Sequence, residues 1–439
     1  MGARETALNV LIASRQEGGW SNGLLKNYIH RDRLDKRDAA LATRLCYGVL
    51  QNRYKLDFYL QQLLTGKVKD LHPAIRDILH LGLYQIYQMD KVPQSAAVNE
   101  SVDLAKKYCK KQRFAPGLVN AVLRKASQTE RKEPTAWQEK YSHPQALIDL
   151  LKSYVGKERI EPMLKANNEI PDTVVQVNTL KITAAQLAAQ LEGEGVCVGV
   201  HPWLENCLVL SGTGNLEMLP SFREGKFYVQ DAAAKLSVLC AQLPKDADWK
   251  VLDCCAAPGG KSFAAAMAMD GRGEITSCDV YEHKTPLIAA GAARLGLENI
   301  TARHLDATVF VPEWENRMDA VICDVPCSGY GIIRKKPDIR YKNLKEMEKL
   351  PQLQQQILFN QARYVRPGGV LLYSTCTLVR AENEGMVELF LQQHPAFYLE
   401  PLPLPSVFHV NETGMLALVP GQYDTDGFFI ARLRRKSCT

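Results

Sequence analysis

The residues of this chain whose types and spacing can do chemistry lie in its second half. Val251-Leu252-Asp253 runs into Cys254-Cys255-Ala256-Ala257-Pro258-Gly259-Gly260-Lys261. Trp249 to Cys254 reads as a buried strand, the small residues and Pro258 turn the chain sharply, and Gly259 to Met269 reads as a helix of small side chains. In an open α/β sheet such a turn lies outside the carboxyl end of a strand. Glycines there let backbone N–H groups approach a ligand, and the geometry suits a nucleotide-like cofactor. Glycines at strand-to-helix turns also serve packing alone, so the loop gains meaning only in company. Asp279, Asp306 and Asp324 supply it, each at or just past the tip of an expected strand. Asp279, 26 residues beyond Asp253, is placed to accept hydrogen bonds from ribose hydroxyls, and Asp306 to reach an adenine edge. Single strand-end aspartates are commonly turn residues; the set points to a bound adenosine. Two cysteines share that end of the sheet, Cys327 in Asp324-Val325-Pro326-Cys327-Ser328-Gly329 and Cys376 in Tyr373-Ser374-Thr375-Cys376-Thr377. A free thiol is usually a small buried hydrophobe, but two beside a cofactor loop and strand-tip carboxylates are candidates for nucleophilic and proton-transfer work.

The elements that must position these groups alternate. Strands are expected at Val251–Asp253, Glu274–Cys278, Ile300–His304, Ala320–Cys323 and Val370–Tyr373, with helical stretches between them, which implies a doubly wound parallel sheet. Asp231, a good helix N-cap, opens this region. Upstream, Thr173 to Asn178, Cys207 to Leu210 and Lys226 to Val229 read as strands and Thr183 to Gln190 as a helix, a small α+β subdomain. From Arg4 to about Lys125 the apolar spacing is helical throughout, broken at Gly18-Gly19, Leu71-His72-Pro73, Val92-Pro93 and Ala115-Pro116-Gly117, and a further helical stretch runs from Pro144 to Asn167. The expected partition is an all-α bundle over residues 1–128, a linker and helical connection over 129–170, the α+β subdomain over 171–230 and an α/β Rossmann-like domain over 231–439.

Composition bounds what such a chain does. At 439 residues it exceeds a single core. No apolar run reaches the ~20 residues of a membrane span and the first residues do not read as a signal peptide, so a cytoplasmic protein is expected. Twelve cysteines without a small disulfide framework fit a reducing compartment; Cys46, Cys109, Cys197, Cys240 and Cys278 sit in apolar sequence. Cys323 and Cys327 lack a His or Cys neighbour to complete a tetrahedral set, so no metal is expected. The net charge is +6, but residues 1–130 hold 21 Lys and Arg against 12 Asp and Glu. A basic first domain suits a polyanion, most plausibly nucleic acid. Its clusters are Arg31, Arg33, Lys36 and Arg37, then Lys106, Lys107, Lys110, Lys111 and Arg113 between Tyr108 and Phe114, aromatics able to stack on bases. A third group, Arg334, Lys335, Lys336, Arg340 and Lys342, follows the Asp324 motif and is placed to hold nucleic-acid phosphates.

The bundle, with Arg44-Leu45-Cys46-Tyr47-Gly48 and Val98-Asn99-Glu100, resembles the helical RNA-binding domain of NusB-type antitermination factors. Cys255 to Lys261, Pro326-Cys327 and Thr375-Cys376 together resemble the S-adenosylmethionine-dependent RNA cytosine-C5 methyltransferases, in particular the bacterial small-subunit ribosomal RNA branch that carries a NusB-like domain. The likeness covers essentially the whole chain. It implies a class I methyltransferase domain whose cofactor site falls on Cys255, Ala256, Ala257, Pro258, Gly259, Gly260, Lys261, Asp279, Asp306 and Asp324. The implied nucleophile is Cys376 and the second catalytic cysteine Cys327. Arg380-Ala381-Glu382-Asn383 departs from the more usual Pro-Glu-Glu-Asn, which affects the local turn.

The chemistry gives each a task. Carbon 5 of cytosine is a poor nucleophile until a thiolate adds to carbon 6, the role of Cys376. Asp324 would hold the charge developing at N3, and Cys327 would assist loss of the carbon 5 proton as base or through water. Lys261 would neutralise the cofactor carboxylate, stand near the base, or remain solvated. The partner so implied is 16S rRNA, naked or in an assembling small subunit, with no membrane and no obligate protein partner. The alternatives are a transfer RNA cytosine-C5 methyltransferase, against which the helical extension argues, and a non-catalytic RNA-binding or ribosome-assembly factor, which would need neither thiol. An amino-group methyltransferase is disfavoured because Asp324-Val325-Pro326-Cys327 lacks an aromatic clamp.

Overall fold

The structure is a computed structural model and describes residues 2–17, 21–408 and 413–437; the expected break at Gly18-Gly19 lies outside them. The chain divides into two compact units, Met1–Glu169 with Ile333–Lys342, and Ile170–Ile332 with Asn343–Thr439.

The first unit is helical. Its main helices are Ala3–Glu17, Ser21–Arg31, Lys36–Gln51, Arg53–Leu63, Pro73–Gln88, Gln94–Tyr108 and Ala115–Gln128. Proline stands in the first turn of Pro73–Gln88 and Ala115–Gln128, where its missing N–H costs nothing, and Asp35 caps its helix by accepting from the Asp38 amide at 2.8 Å. Leu8, Leu45, Ile78, Leu83 and Val119 meet in one core. Gly48 lets two helices approach: a Cβ there would lie 2.0 Å from Tyr84 Cζ. The helical stretch expected from Pro144 to Asn167 comprises two helices, Gln145–Val155 and Lys157–Ala166, parted at Gly156 with φ of 83°. The last piece comes from far along the chain. Ile333–Lys342 belongs to this unit, and Arg340 is buried in it at 1% exposure.

The second unit holds two sheets. In the smaller, β1 (Thr173–Val177), β2 (Cys197–Val200), β3 (Cys207–Ser211) and β4 (Phe227–Val229) are antiparallel in the order β2-β3-β1-β4. The helix Ala184–Gly193 packs Leu187 and Leu191 into that sheet's core, its start fixed by a capping box of Thr183 and Gln186. Strand β2 escaped the sequence reading because its burial is that of an edge strand, and Cys197 on it is exposed rather than in apolar surroundings.

The larger sheet comprises β5 (Lys250–Asp253), β6 (Glu274–Asp279), β7 (Ile300–His304), β8 (Met318–Asp324), β9 (Val365–Thr375), β10 (Phe397–Leu399), β11 (Met415–Leu418) and β12 (Phe428–Arg435). Its order is β10-β12-β9-β8-β5-β6-β7, with β11 also on β12. Strands β5 to β9 pair in parallel, but β12 runs antiparallel beside β9, so the sheet is mixed rather than wholly parallel. Phe428 to Leu433 is fully apolar save Arg432, which folds inward on a hydrogen bond to Gln242 Oε1 at 2.6 Å, so an inserted strand covers what would have been an open edge. The chain enters at β5, builds β6 and β7 to one side, then returns to β8 and β9 on the other. The connections therefore reverse between β5 and β8, which opens a crevice at their carboxyl ends. Among the described residues no helix is long and apolar enough to cross a membrane.

Candidate active site

The crevice between β5 and β8 gathers most of the singled-out residues. Strand β5 ends in Asp253, fully buried, whose Oδ2 accepts from Ser262 Oγ at 2.7 Å; Ser262 Oγ in turn takes a bond from Ser277 Oγ on β6 at 2.7 Å. These bonds tie the first turn of the helix Gly260–Ala268 to the two strands. Burial drives the Asp253 carboxyl up to about 6, against the pull of the Ser262 hydroxyl and the Lys261 charge. Between strand and helix Cys255 to Lys261 form the expected loop. Gly259 adopts φ of 111°, and a Cβ on it would lie 2.4 Å from the Phe263 ring, so only glycine fits there.

Asp279, at the tip of β6, accepts from the Ala257 amide at 3.2 Å and the Tyr281 amide at 3.0 Å, locking the glycine loop against the neighbouring strand. It is buried, whereas Asp306 beyond β7 is exposed and its Oδ1 accepts from the Thr308 amide and hydroxyl at 2.9 and 2.8 Å in a local turn. The loop and Asp279 offer what an adenosine-bearing cofactor needs, backbone amides at a strand-to-helix turn and a carboxylate at the second strand tip.

Asp324 closes β8 and faces Ser374 of β9 in register. Its Oδ1 accepts from Ser374 Oγ at 2.9 Å and its Oδ2 from Lys261 Nζ at 2.6 Å. Burial alone would push the Lys261 ammonium down, but the Asp324 carboxylate beside it outweighs that and holds it above the ordinary lysine range. Lys261 is thus neither solvated nor placed by helix geometry alone; it is the counter-ion of Asp324, with its Nζ 5.2 Å from the centre of the Phe428 ring.

The two cysteines come together. Cys327 Sγ and Cys376 Sγ stand 3.2 Å apart, each partly exposed. The hydrogen bond with Cys376 and burial raise the Cys327 thiol well above its ordinary value, so it stays protonated at neutral pH. Both loops are pinned by groups to which sequence reasoning assigned no role. Glu382 Oε2 accepts from the Ser328 amide at 2.9 Å and Gln354 Nε2 at 2.8 Å, while Gln354 also donates to the Pro326 carbonyl at 3.0 Å. Asn383 accepts from Thr375 Oγ1 at 2.6 Å and donates to the Thr377 carbonyl at 3.0 Å. The Glu382-Asn383 pair is therefore a buried brace under both cysteines, more than a local turn. A glutamate and an asparagine a few residues past Cys376 were the available signal; Gln354, in Leu353-Gln354-Gln355-Gln356, offers none.

Arg340 does not join a phosphate-binding group. Its guanidinium is enclosed in the helical unit, where Nη1 donates to the Gln51 and Ser142 carbonyls and Asn168 Oδ1 at 2.9, 3.1 and 2.9 Å, and Nη2 to the Asn167 carbonyl at 2.9 Å. Arg334, Lys335 and Lys336 are half-buried.

A doubly wound α/β domain with a glycine loop at its switch point and acidic strand tips defines a class, the Rossmann-like methyltransferases. Residues 240–434 match the 16S rRNA methyltransferase RsmB/F family, residues 1–128 the NusB family, and residues 143–217 the ferredoxin-like domain of RsmF/B-like methyltransferases. The probable ribosomal RNA small subunit methyltransferase B of Bacillus subtilis (strain 168) is 34% identical over 446 residues, 99% of this chain and 98% of that protein. That of Synechocystis sp. is 33% identical over 447 residues, covering 99% of each. The crystal structure of PH0851 superposes with a TM-score of 0.81 at 26% identity, over 98% of both chains. A methyltransferase homologue from Pyrococcus horikoshii gives 0.58 at 26% identity, over 68% of this chain and 97% of that one. The chain belongs to the ribosomal RNA small subunit methyltransferase B family.

Proposed function

We propose that this protein transfers a methyl group from S-adenosylmethionine to carbon 5 of a cytosine in 16S rRNA, through a covalent adduct between Cys376 and carbon 6 of the flipped base. The observation that carries this reading is the pair of thiols 3.2 Å apart beside the Lys261–Asp324 ion pair at the sheet's switch point. A sulfonium methyl donor held by Cys255 to Lys261 and Asp279 would supply the electrophile. The rest is done by the chain. Cys376 adds to carbon 6 as thiolate, and the proton it gives up is relayed by Asp324, held in place by Lys261 and Ser374, to the ring nitrogen N3 where charge develops. Cys327 begins as a protonated thiol one hydrogen bond from Cys376. Once the adduct has taken that sulfur, Cys327 gives its own proton to solvent and, as thiolate or through water, takes the carbon 5 proton; the bond between carbon 6 and sulfur then breaks and Cys376 leaves as thiolate. The basic surface of residues 1–128 supports an RNA substrate.

The test incubates wild type, Cys376→Ala and Cys327→Ala with labelled S-adenosylmethionine and small-subunit RNA, free or in the particle, and scores methylcytosine and denaturant-resistant protein–RNA adducts. Cys327→Ala is expected to accumulate adduct and Cys376→Ala to give neither adduct nor product. Normal methylation by both variants would show the thiols to be structural, and a wild type that labels transfer RNA but not small-subunit RNA would move the substrate.

A further inference from the structure

The two catalytic-site sulfurs are closer than their proposed work in methyl transfer requires, and the surrounding hydrogen bonds hold them so. Ser328 and Thr377, the residues immediately after the two cysteines, share a hydroxyl–hydroxyl bond of 2.6 Å. The Gly331 amide donates to the Cys376 carbonyl at 2.9 Å, and the Gly427 amide to the Gly331 carbonyl at 2.8 Å. No side chain fits between these strands of chain: a Cβ on Gly331 would lie 2.1 Å from the Gly427 carbonyl oxygen. These hydrogen bonds and the close backbone packing hold the two loops together. Forming a disulfide from 3.2 Å needs a closure of about 1.2 Å, within reach of side-chain rotation.

We propose that Cys327 and Cys376 form a reversible modification site, closing to an intramolecular disulfide when the protein meets a hydroperoxide and reopening with a thiol reductant. One thiolate attacks the peroxide, the O–O bond breaks, and a sulfenic acid forms with loss of alkoxide or hydroxide. The second thiol then displaces water from that sulfur as the S–S bond forms. In sum, two thiols and one hydroperoxide give one disulfide, one alcohol or water, and one further water. Among the other described cysteines, Cys254 lies within hydrogen-bonding reach of Cys323, but both are buried, out of reach of an oxidant in solvent. Most of those described are buried, and Cys197 is exposed but alone. Cys254 and Cys255 stand 3.8 Å apart, but as chain neighbours they would close a strained ring. Closure consumes both groups to which the proposed reaction gives a task, so transfer stops while the cofactor loop and the RNA-binding surface persist. The inference for activity rests on the proposed function; the bond itself does not.

The experiment treats the full-length wild type with hydrogen peroxide, then measures intact mass, disulfide-linked peptides and methyl transfer before and after dithiothreitol. The expected result is a mass loss of about 2 Da, a linked peptide pair containing Cys327 and Cys376, and transfer reduced at least ~100-fold, restored within about twofold by reductant. Cys197→Ser should behave as wild type. Cys327→Ser should instead carry added oxygen on Cys376. Phenylarsine oxide, which needs two adjacent thiols, should add once to wild type across this pair. Oxidation of Cys376 to sulfinic acid with Cys327 left free, or a link found only at Cys254–Cys255, overturns the proposal. The mass readout decides this even for a preparation that methylates nothing, so the two readings fail separately.

Discussion

Replacing Arg340 with methionine, which keeps the stem and removes the head group, should loosen the helical unit without touching RNA affinity. Among the described residues the guanidinium's hydrogen bonds go to carbonyls and an amide oxygen, not to a carboxylate. It meets carbonyls at the carboxyl ends of helices: Gln51 closes Lys36–Gln51, and Asn167 caps Lys157–Ala166. Such carbonyls have no partner within their helices and carry the negative end of the helix dipole, so one buried cation serves several at once. Burial pushes the Arg340 guanidinium down to about 10, which leaves it charged at neutral pH. Charge-assisted hydrogen bonds contribute roughly 1.5–3 kcal/mol each, and the desolvation of the buried cation opposes them. Removing the head group recovers that desolvation but leaves four acceptors within 3.1 Å unserved, for a net loss of roughly 3–5 kcal/mol. At about 2–4 °C per kcal/mol for a unit of this size, the helical transition should fall by roughly 6–20 °C. Thermal unfolding of the full chain by circular dichroism measures the shift. Hydrogen exchange over residues 45–55 and 140–170 localises it, because those amides should lose protection. RNA binding titrated against salt supplies the contrast: a residue that held phosphate would leave stability unchanged and lower the salt slope by about one. A shift under about 2 °C together with a reduced slope would refute the burial reasoning.

The site makes two further predictions. Glu382→Ala strands the Ser328 amide and Gln354, so the Cys327 loop should wander and kcat should fall roughly 10–100-fold with KM for RNA little changed, while Glu382→Gln, which keeps an acceptor oxygen, recovers most of the rate; equal rates for Glu382→Ala and wild type would remove the brace from the mechanism. Asp253, raised by burial from 3.8 to about 6, binds its proton more tightly in the folded chain than in the unfolded one, so its ionisation costs stability as pH rises through about 4 to 6 and the cost of about 2–3 kcal/mol stays in place above that window. Asp253→Asn still accepts from Ser262 but cannot ionise, and urea unfolding should find it gaining on wild type between pH 4 and 6 and holding that gain at pH 8; a constant difference across pH would contradict the assignment.

What was legible in the sequence and what was not divide along a physical line. Strands β5 to β9 and the cysteine and aspartate tips could be read because each is local: a short apolar run, a turn of small residues, a carboxylate at a fixed offset. Strands β10 to β12 were missed because their pairing, β12 on β9 and both β10 and β11 on β12, is set by sheet topology and not by neighbours in sequence. The same holds more sharply for polar side chains. Arg340 stands in a run of Lys and Arg that reads as a phosphate-binding surface, yet its acceptors lie 172 to 289 residues away. Gln354 carries no sequence signal and is buried against Glu382. A charged or amide side chain in sequence carries no mark of whether it will find buried acceptors, since burial is favourable only after distant segments have assembled the acceptors for it. Lys261 shows the intermediate case. Its place at the first turn of the helix after the glycine loop was visible, and what made it part of the site was Asp324, brought beside it because β5 and β8 are neighbours at the switch point. The chemistry-bearing residues thus announce themselves by type and offset. The residues that hold them to a 3.2 Å separation become visible only where the fold closes on them.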